Sequence, residues 1–153
     1  MTLITGYDPG LTTGVAWGRF SNDEPFKLVK SFNADLTRMR NFLMLEVGPS
    51  TGNEIVVAER FVLSAGNRHA AELTGVRVEG MLELTYDTIF WQPRSDKALV
   101  SDQMMKDNGY WVDKKVSNWT DGRDQNDAIK HILVWLMRHG HRPTIEMINP
   151  RSE

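Results

Sequence analysis

Asp8 closes the apolar run Leu3, Ile4, Tyr7 and is followed at once by Pro9-Gly10. Glu59 stands inside the largely apolar stretch "EIVVAERFV", and Asp124 and Asp127 lie three apart at the head of "DQNDAIKHILVWLMRHG". On a helix that spacing puts both side chains on one face. Gathered at one place, these four carboxylates repel one another unless hard cations neutralise them. Oxygen donors without cysteine favour Mg2+ or Mn2+ over zinc. Two such ions about 4 Å apart activate a water and stabilise the leaving oxygen in phosphodiester hydrolysis. Each acid also has an ordinary structural reading. Asp8 caps its turn through its own backbone, Glu59 faces solvent at a strand end, and Asp124 and Asp127 favour a helix N-terminus through capping and the macrodipole. Only juxtaposition separates the two readings, and juxtaposition depends on the elements that carry the acids.

Periodicity and turn residues define those elements. Leu3, Ile4 and Tyr7 read as a strand, Val15-Ala16-Trp17 as a second, and the Pro-Gly turn joins them. "FKLVKSFN" (26–33) alternates apolar and polar residues as a third strand. In 37–47, Met39, Phe42, Leu43 and Val47 fall at helical spacing, and Gly48-Pro49 stops the helix. Residues 54–62 read as a strand interrupted by Glu59, 67–84 as a helix containing Gly75 and Gly80, and 87–93 as a fifth strand. Residues 95–109 predict a shorter helix ended by Gly109, followed by a Trp- and Lys-containing loop over 110–122. The last helix, 124–140, carries the stripe Ala128, Ile129, Ile132, Leu133 and Leu136. Beyond Pro143 the chain reads as a loosely held end. A three-strand meander followed by strands alternating with helices predicts an α/β fold, a mixed five-stranded sheet with helices on both faces. In that order the first and fourth strands lie side by side and the last helix crosses their ends.

The chain has 153 residues, which predicts one domain with a substantial core. Cysteine is absent, so disulfides, thiolate zinc and a cysteine nucleophile are excluded. No apolar run approaches membrane-spanning length and the N-terminus lacks a signal-peptide pattern, so the expected setting is intracellular, without a membrane partner. The net charge is −2, with 8 basic and 11 acidic residues in 1–93 and 10 basic and 9 acidic in 94–153. Charge alone neither establishes nor excludes a nucleic-acid partner.

The motifs carry a resemblance. "GYDPGLTTGVAW" is similar to the start of the RuvC family of Holliday-junction resolvases, in the RNase H-like superfamily, where Asp-Pro-Gly is followed by a Thr-Gly hairpin. "DQNDA" matches that family's closing Asp-x-x-Asp-Ala. "ERFVLSAGNRHAAELTGVRVEG" resembles a family segment running from an acid through an aromatic and an Asn to a Gly-x-x-x-Gly-like helix. "PRSDK" resembles the family's Pro followed four residues later by an active-site lysine, here Lys97. The resemblance spans nearly the whole chain and implies an RNase H-like, RuvC-type nuclease domain over 1–142 with a C-terminal tail over 143–153. It implies two Mg2+ or Mn2+ ions on Asp8, Glu59, Asp124 and Asp127, Lys97 at the scissile phosphate, branched DNA as partner, a homodimer and no nucleotide cofactor. Two departures stand out. Where bacterial members have a glycine-rich stretch with a second lysine, this chain has "ALVSDQMMKDNG", with Lys106 as the nearest counterpart. Phe61 falls one residue nearer the glutamate than the family's wedge aromatic. Such divergence resembles the small RuvC-like enzymes of bacteriophages, which work in the host cytoplasm.

Arg60, Phe61, Arg68, Lys106, Lys114 and Lys115 are the expected DNA contacts, with His69 beside them. His131, four residues after Asp127 on roughly the same helical face, is either a contact for metal or phosphate or a solvated helix residue. Trp111, Lys114, Lys115 and Trp119 interleave aromatics with cations as strand-binding loops do, or the tryptophans are lids on the core. Met104, Met105 and Met137 are expected in the core. The helix over 75–84 offers glycines either to a dimer partner or to its own sheet. Three rival functions share these features. Asp-x-Gly-x-Thr turns cradle phosphate in actin-like ATPases and sugar kinases, but those need two domains and a second copy of the motif. The acids also serve RNase H-like nucleases acting on RNA–DNA hybrids or nicking one strand. A non-catalytic junction-binding module would keep the fold with a vestigial metal site.

Overall fold

The structure is a computed structural model and describes residues 1–48, 52–62, 70–113 and 123–149. Strands β1 (Thr2–Asp8), β2 (Thr13–Phe20) and β3 (Lys27–Ala34) form the antiparallel meander, and β4 (Glu54–Glu59) and β5 (Phe90–Gln92) add in parallel on the other side of β1. The order across the sheet is β3-β2-β1-β4-β5. The helices are α1 (Leu36–Asn41), which continues as a π-helical turn over Phe42–Val47, α2 (Ala70–Thr85), α3 (Asp102–Asp107), α4 (Arg123–Arg138) and α5 (Arg142–Ile148). A 3-10 segment, Arg94–Leu99, links β5 to α3.

Alternation along the strands sends side chains to two core layers. On one face Ile4, Ala16 and Val57 pack with Met105 of α3, Ile129, Ile132, Leu133 and Leu136 of α4, and Ile148 of α5. On the other face Tyr7, Val15, Val56 and Ala58 pack with Met39, Phe42 and Leu43 and with Val78 and Leu82 of α2. The expected mixed sheet, with helices on both faces, is the observed one.

Two glycines decide where α4 lies. A Cβ on Gly14 would sit 1.9 Å from the carbonyl oxygen of Asp124, and one on Gly6 would sit 2.5 Å from that of Ala128. The helix therefore rests directly on the backbone of β1 and β2, with its N-terminal end over the rung that pairs Asp8 with Gly14. Asn33 of β3 accepts the Gln125 backbone N–H at 3.0 Å, and the Ser31 hydroxyl donates to Gln125 Oε1 at 2.9 Å, so the helix start is pinned from the sheet. The glycine of "TTG" serves this close approach.

Several boundaries differ from expectation. The helix expected over 95–109 is two segments, because Val100 turns extended and Ser101 caps α3, its hydroxyl accepting the Met104 N–H at 3.1 Å. The strand expected over 54–62 stops at Glu59, and the one over 87–93 is confined to Phe90–Gln92. The helix over 37–47 loosens into its π-helical turn at Phe42. The end beyond Pro143 is ordered in its first part: α5 packs Thr144 and Ile148 into the core, and Thr144 Oγ1 accepts the Phe26 N–H at 2.9 Å. Gly75 of α2 faces Phe61: its missing side chain makes room for that ring, which lies 2.7 Å from where a Cβ would be. Met105 is fully buried and Met104 and Met137 pack against the same layer, as expected. No helix among the described residues is long and apolar enough to cross a membrane.

Candidate active site

The strand register sets up the site. β1 and β4 run parallel and end together, so Asp8 and Glu59, the last residues of each, emerge at the same edge of the sheet. Both belong to the alternation set that faces α4. Asp8 is 8 % exposed and Glu59 7 %. Ligating atoms of Asp8, Glu59 and His131 all lie within 4.8 Å of one another, a group the size of one metal coordination sphere.

Lys97 enters this group from the 3-10 segment. Its Nζ lies 2.8 Å from Asp127 Oδ2 and 3.0 Å from Glu59 Oε2, so one ammonium ties β4 to α4. The segment itself is fastened by the residue before it: Asp96, buried, accepts two hydrogen bonds from the guanidinium of Arg138, at 2.5 and 2.9 Å. His131 is fully buried, with Nε2 2.9 Å from Glu59 Oε2 and Nδ1 2.6 Å from Gln92 Oε1.

The electrostatics follow from this crowding. Burial, then the neighbouring Glu59 charge, pushes the Asp8 carboxyl well above the usual carboxylate range, against the counteracting pull of Lys97. Glu59 goes the other way, to about 2: burial opposes its charge, but hydrogen bonds with His131 and Lys97 outweigh burial. For Lys97 too burial works against charge, yet Asp8, Asp127 and Glu59 together hold its ammonium above its ordinary range. Two carboxylates on adjacent strand ends thus have opposite tendencies, set by their different partners.

A cleft of about 550 Å3 opens onto this cluster, lined by Asp8, the Pro9–Thr12 turn, Glu59, Arg60, Phe61, Val62, Arg94, Lys97 and Asp124. Three cations therefore border an acidic floor, the charge arrangement expected around a phosphodiester held over a metal site.

No protein-family model and no curated protein matches the sequence. Solved structures do match it. Thermus thermophilus RuvC in complex with a Holliday-junction substrate superimposes with a TM-score of 0.65 at 12% identity, covering 92% of this chain and 98% of that one. Fowlpox virus resolvase in complex with Holliday-junction DNA gives 0.60 at 14% identity, covering 91% and 99%. A second structure of the fowlpox virus Holliday junction resolvase gives 0.58 at 13% identity, covering 90% and 99%. The chain has the RuvC-type, RNase H-like fold.

Within the RuvC-type fold, the residues singled out in the sequence separate into groups. Asp8, Glu59, Asp127 and Lys97 come together, and Asp124 lines the same cleft. The solvated setting expected as one option for His131 is corrected: α4 turns that residue inward, and it joins the tight cluster with Asp8 and Glu59. Arg60 borders the cleft, but its guanidinium stacks 4.1 Å over the Trp91 ring and lies 3.8 Å from Glu79 and 3.5 Å from Glu83. Phe61 is half-buried against Gly75, with its N–H donating to Glu79 Oε1 at 2.6 Å. Lys106 sits over the ring of Trp111 at 4.8 Å, and Trp111 packs against the core as a lid. Arg68, His69, Lys114, Lys115 and Trp119 lie outside the described residues.

Sequence reasoning missed three contributors. Arg94, three residues before Lys97 in "PRSDK", lines the cleft and is exposed. Gln92 pairs in register with Glu59 and reaches His131. Asn126, inside "DQNDA", is buried and holds Val112 by both its amide groups, accepting from the N–H at 2.9 Å and donating to the carbonyl at 3.0 Å. For Asn126 the available signal was its place three residues before Ile129, on the side of α4 that the apolar stripe assigns to the interior.

Proposed function

We propose that this chain is a metal-dependent, structure-selective DNA endonuclease that cleaves Holliday junctions and other branched DNA. The observation that carries the reading is the meeting of Asp8, Glu59, Asp127 and Lys97 at one strand edge of a RuvC-type fold. The donor set fits divalent cations: hard carboxylate oxygens converge, and the disfavoured charge of buried Asp8 is what such a cation relieves. Asp8, Glu59, Asp127 and Asp124 would hold Mg2+ or Mn2+, two ions in all. When bound, that pair supplies an activated water and neutralises charge on the leaving oxygen.

The chain's own residues do the rest. Asp8 and Glu59, fixed by the register of adjacent strands, define the position of the reacting phosphate without needing to move. Lys97 brings a compact positive charge to the same place and balances developing charge on the phosphoryl oxygens. Arg94 and Arg60 flank the cleft as phosphate contacts, and the narrowness of this basic rim, on a chain of net charge −2, favours strands that diverge around the site over plain duplex. Two copies acting on the two equivalent strands of a junction would form a C2 dimer.

The test is cleavage of four-way, three-way, flap, RNA–DNA hybrid and linear substrates with and without Mg2+ or Mn2+. The reading expects branched DNA to be cut first, and Asp8→Asn to bind junctions while losing cleavage. Unchanged cleavage by Asp8→Asn, or linear duplex displacing a labelled junction as well as unlabelled junction does, would overturn it; preferential cutting of the hybrid would reassign the substrate.

A further inference from the structure

His131 and Gln92 form a unit whose hydrogen bonding can be assigned completely. Gln92 Nε2 donates to the His131 backbone carbonyl at 3.2 Å, and the reverse amide orientation would set two carbonyl oxygens against each other. Gln92 Oε1 therefore faces His131 Nδ1, 2.6 Å away, and Nδ1 must carry the hydrogen it donates. That assignment directs the electron pair of Nε2 toward Glu59 Oε2 at 2.9 Å, in a side chain with no solvent exposure. Two acceptors at that separation require a positive charge shared between them, a proton or a metal ion. Gln92 is placed for this by the sheet, since it is the register partner of Glu59 at the end of the β4–β5 ladder.

We propose that His131 is a direct nitrogen ligand of the divalent ion held by Asp8 and Glu59, and that Gln92 is the positioning residue that fixes its tautomer. The proposal rests on the metal-nuclease reading. A buried acceptor locking the far nitrogen of a metal-binding imidazole is a recurrent outer-sphere arrangement, and losing it costs about 10–100-fold in metal affinity. Replacing one oxygen donor by imidazole also biases the site toward Mn2+ over Mg2+, because imidazole is the softer donor.

The experiment uses the full chain and Mn2+ alone. Pulsed electron paramagnetic resonance of the bound ion is expected to show a directly coordinated nitrogen, confirmed by labelling histidine with 15N. His131→Gln should still bind Mn2+ through its carboxylates but lose the nitrogen signal and the Mn2+ over Mg2+ preference. Gln92→Leu should weaken Mn2+ binding about 10–100-fold, while Gln92→Glu, which keeps an acceptor facing Nδ1, should retain the nitrogen signal. Mn2+ bound by the unaltered chain without nitrogen coupling, or no Mn2+ binding at all, would overturn the ligand assignment. Gln92→Leu binding Mn2+ as tightly as the unaltered chain would overturn the tautomer role. Nitrogen-coupled Mn2+ with no cleavage of any DNA would leave this assignment standing and remove the nuclease reading instead.

Discussion

Gly14→Ala tests whether the seating of α4 assembles the site. The new Cβ would lie 1.9 Å from the Asp124 carbonyl oxygen, 2.1 Å from its carbonyl carbon and 2.7 Å from the Gln125 nitrogen, where real Cβ contacts do not fall below 3.0 Å. All three neighbours are helix backbone, so relief requires the head of α4 to retreat by about 1 Å. That head carries Asp124 and Asp127, the 2.8 Å contact of Asp127 with Lys97, and the Gln125 N–H bond to Asn33. Overpacking of this kind costs about 1–3 kcal/mol, equivalent to roughly 3–10 °C in Tm for a chain of this size. A displacement of about 1 Å in positioned catalytic groups costs on the order of 100-fold in rate. The assay is single-turnover cleavage of a four-way junction in saturating Mg2+, run beside a thermal melt. Gly80→Ala is the control: among the described residues nothing lies within 4 Å of its added Cβ, so a helix-interior alanine should raise stability by about 0.5–1 kcal/mol and leave cleavage alone. Wild-type rate and Tm in Gly14→Ala would refute the idea that backbone contact between β2 and α4 sets the acid geometry.

Lys97→Ala and Lys97→Arg should each slow cleavage at saturating junction, the alanine variant by about 100-fold or more, since a guanidinium does not replace a compact ammonium between Glu59 and Asp127; an unchanged rate in either removes Lys97 from the chemistry. Asp8→Asn should raise Tm in metal-free buffer, because burial and the neighbouring Glu59 charge disfavour the ionised carboxyl. Added Mg2+ or Mn2+ should then stabilise the original chain more than the variant, and a lower metal-free Tm in Asp8→Asn contradicts this. Tyr110 donates its hydroxyl hydrogen to the Phe26 carbonyl and burial pushes its pKa up to about 12. The folded value exceeds the unfolded one, so the stabilisation is whole below pH 10 and lost as pH rises through 12. Tyr110→Phe should flatten the decline of Tm over that interval, and an identical decline in both proteins counts against it.

The sequence alone determined the architecture, because that depends on periodicity and turn residues that act locally. Alternation in 26–33, the stripe from Ala128 to Leu136 and the breaks at Gly48-Pro49 and Gly109 are enough to order five strands and their helices. The same local signals placed Asp8 at a strand end and Asp124 and Asp127 on one helical face, but they set Glu59 inside a longer strand that the structure ends at that residue. What local signals do not carry is which side chains meet. Ser101 splits a continuous-looking helix because its hydroxyl caps α3, and Thr144 and Ile148 hold the chain's end because a core lies beneath them. Gly14 reads as a turn glycine until α4 is laid across it. His131 reads as a polar position on a helix until the crossing angle turns it toward Glu59, and Gln92 carries no signal until strand register sets it opposite that glutamate. Partners distant in sequence are chosen by packing, and packing joins Lys97 to Asp127 and Gln92 to His131.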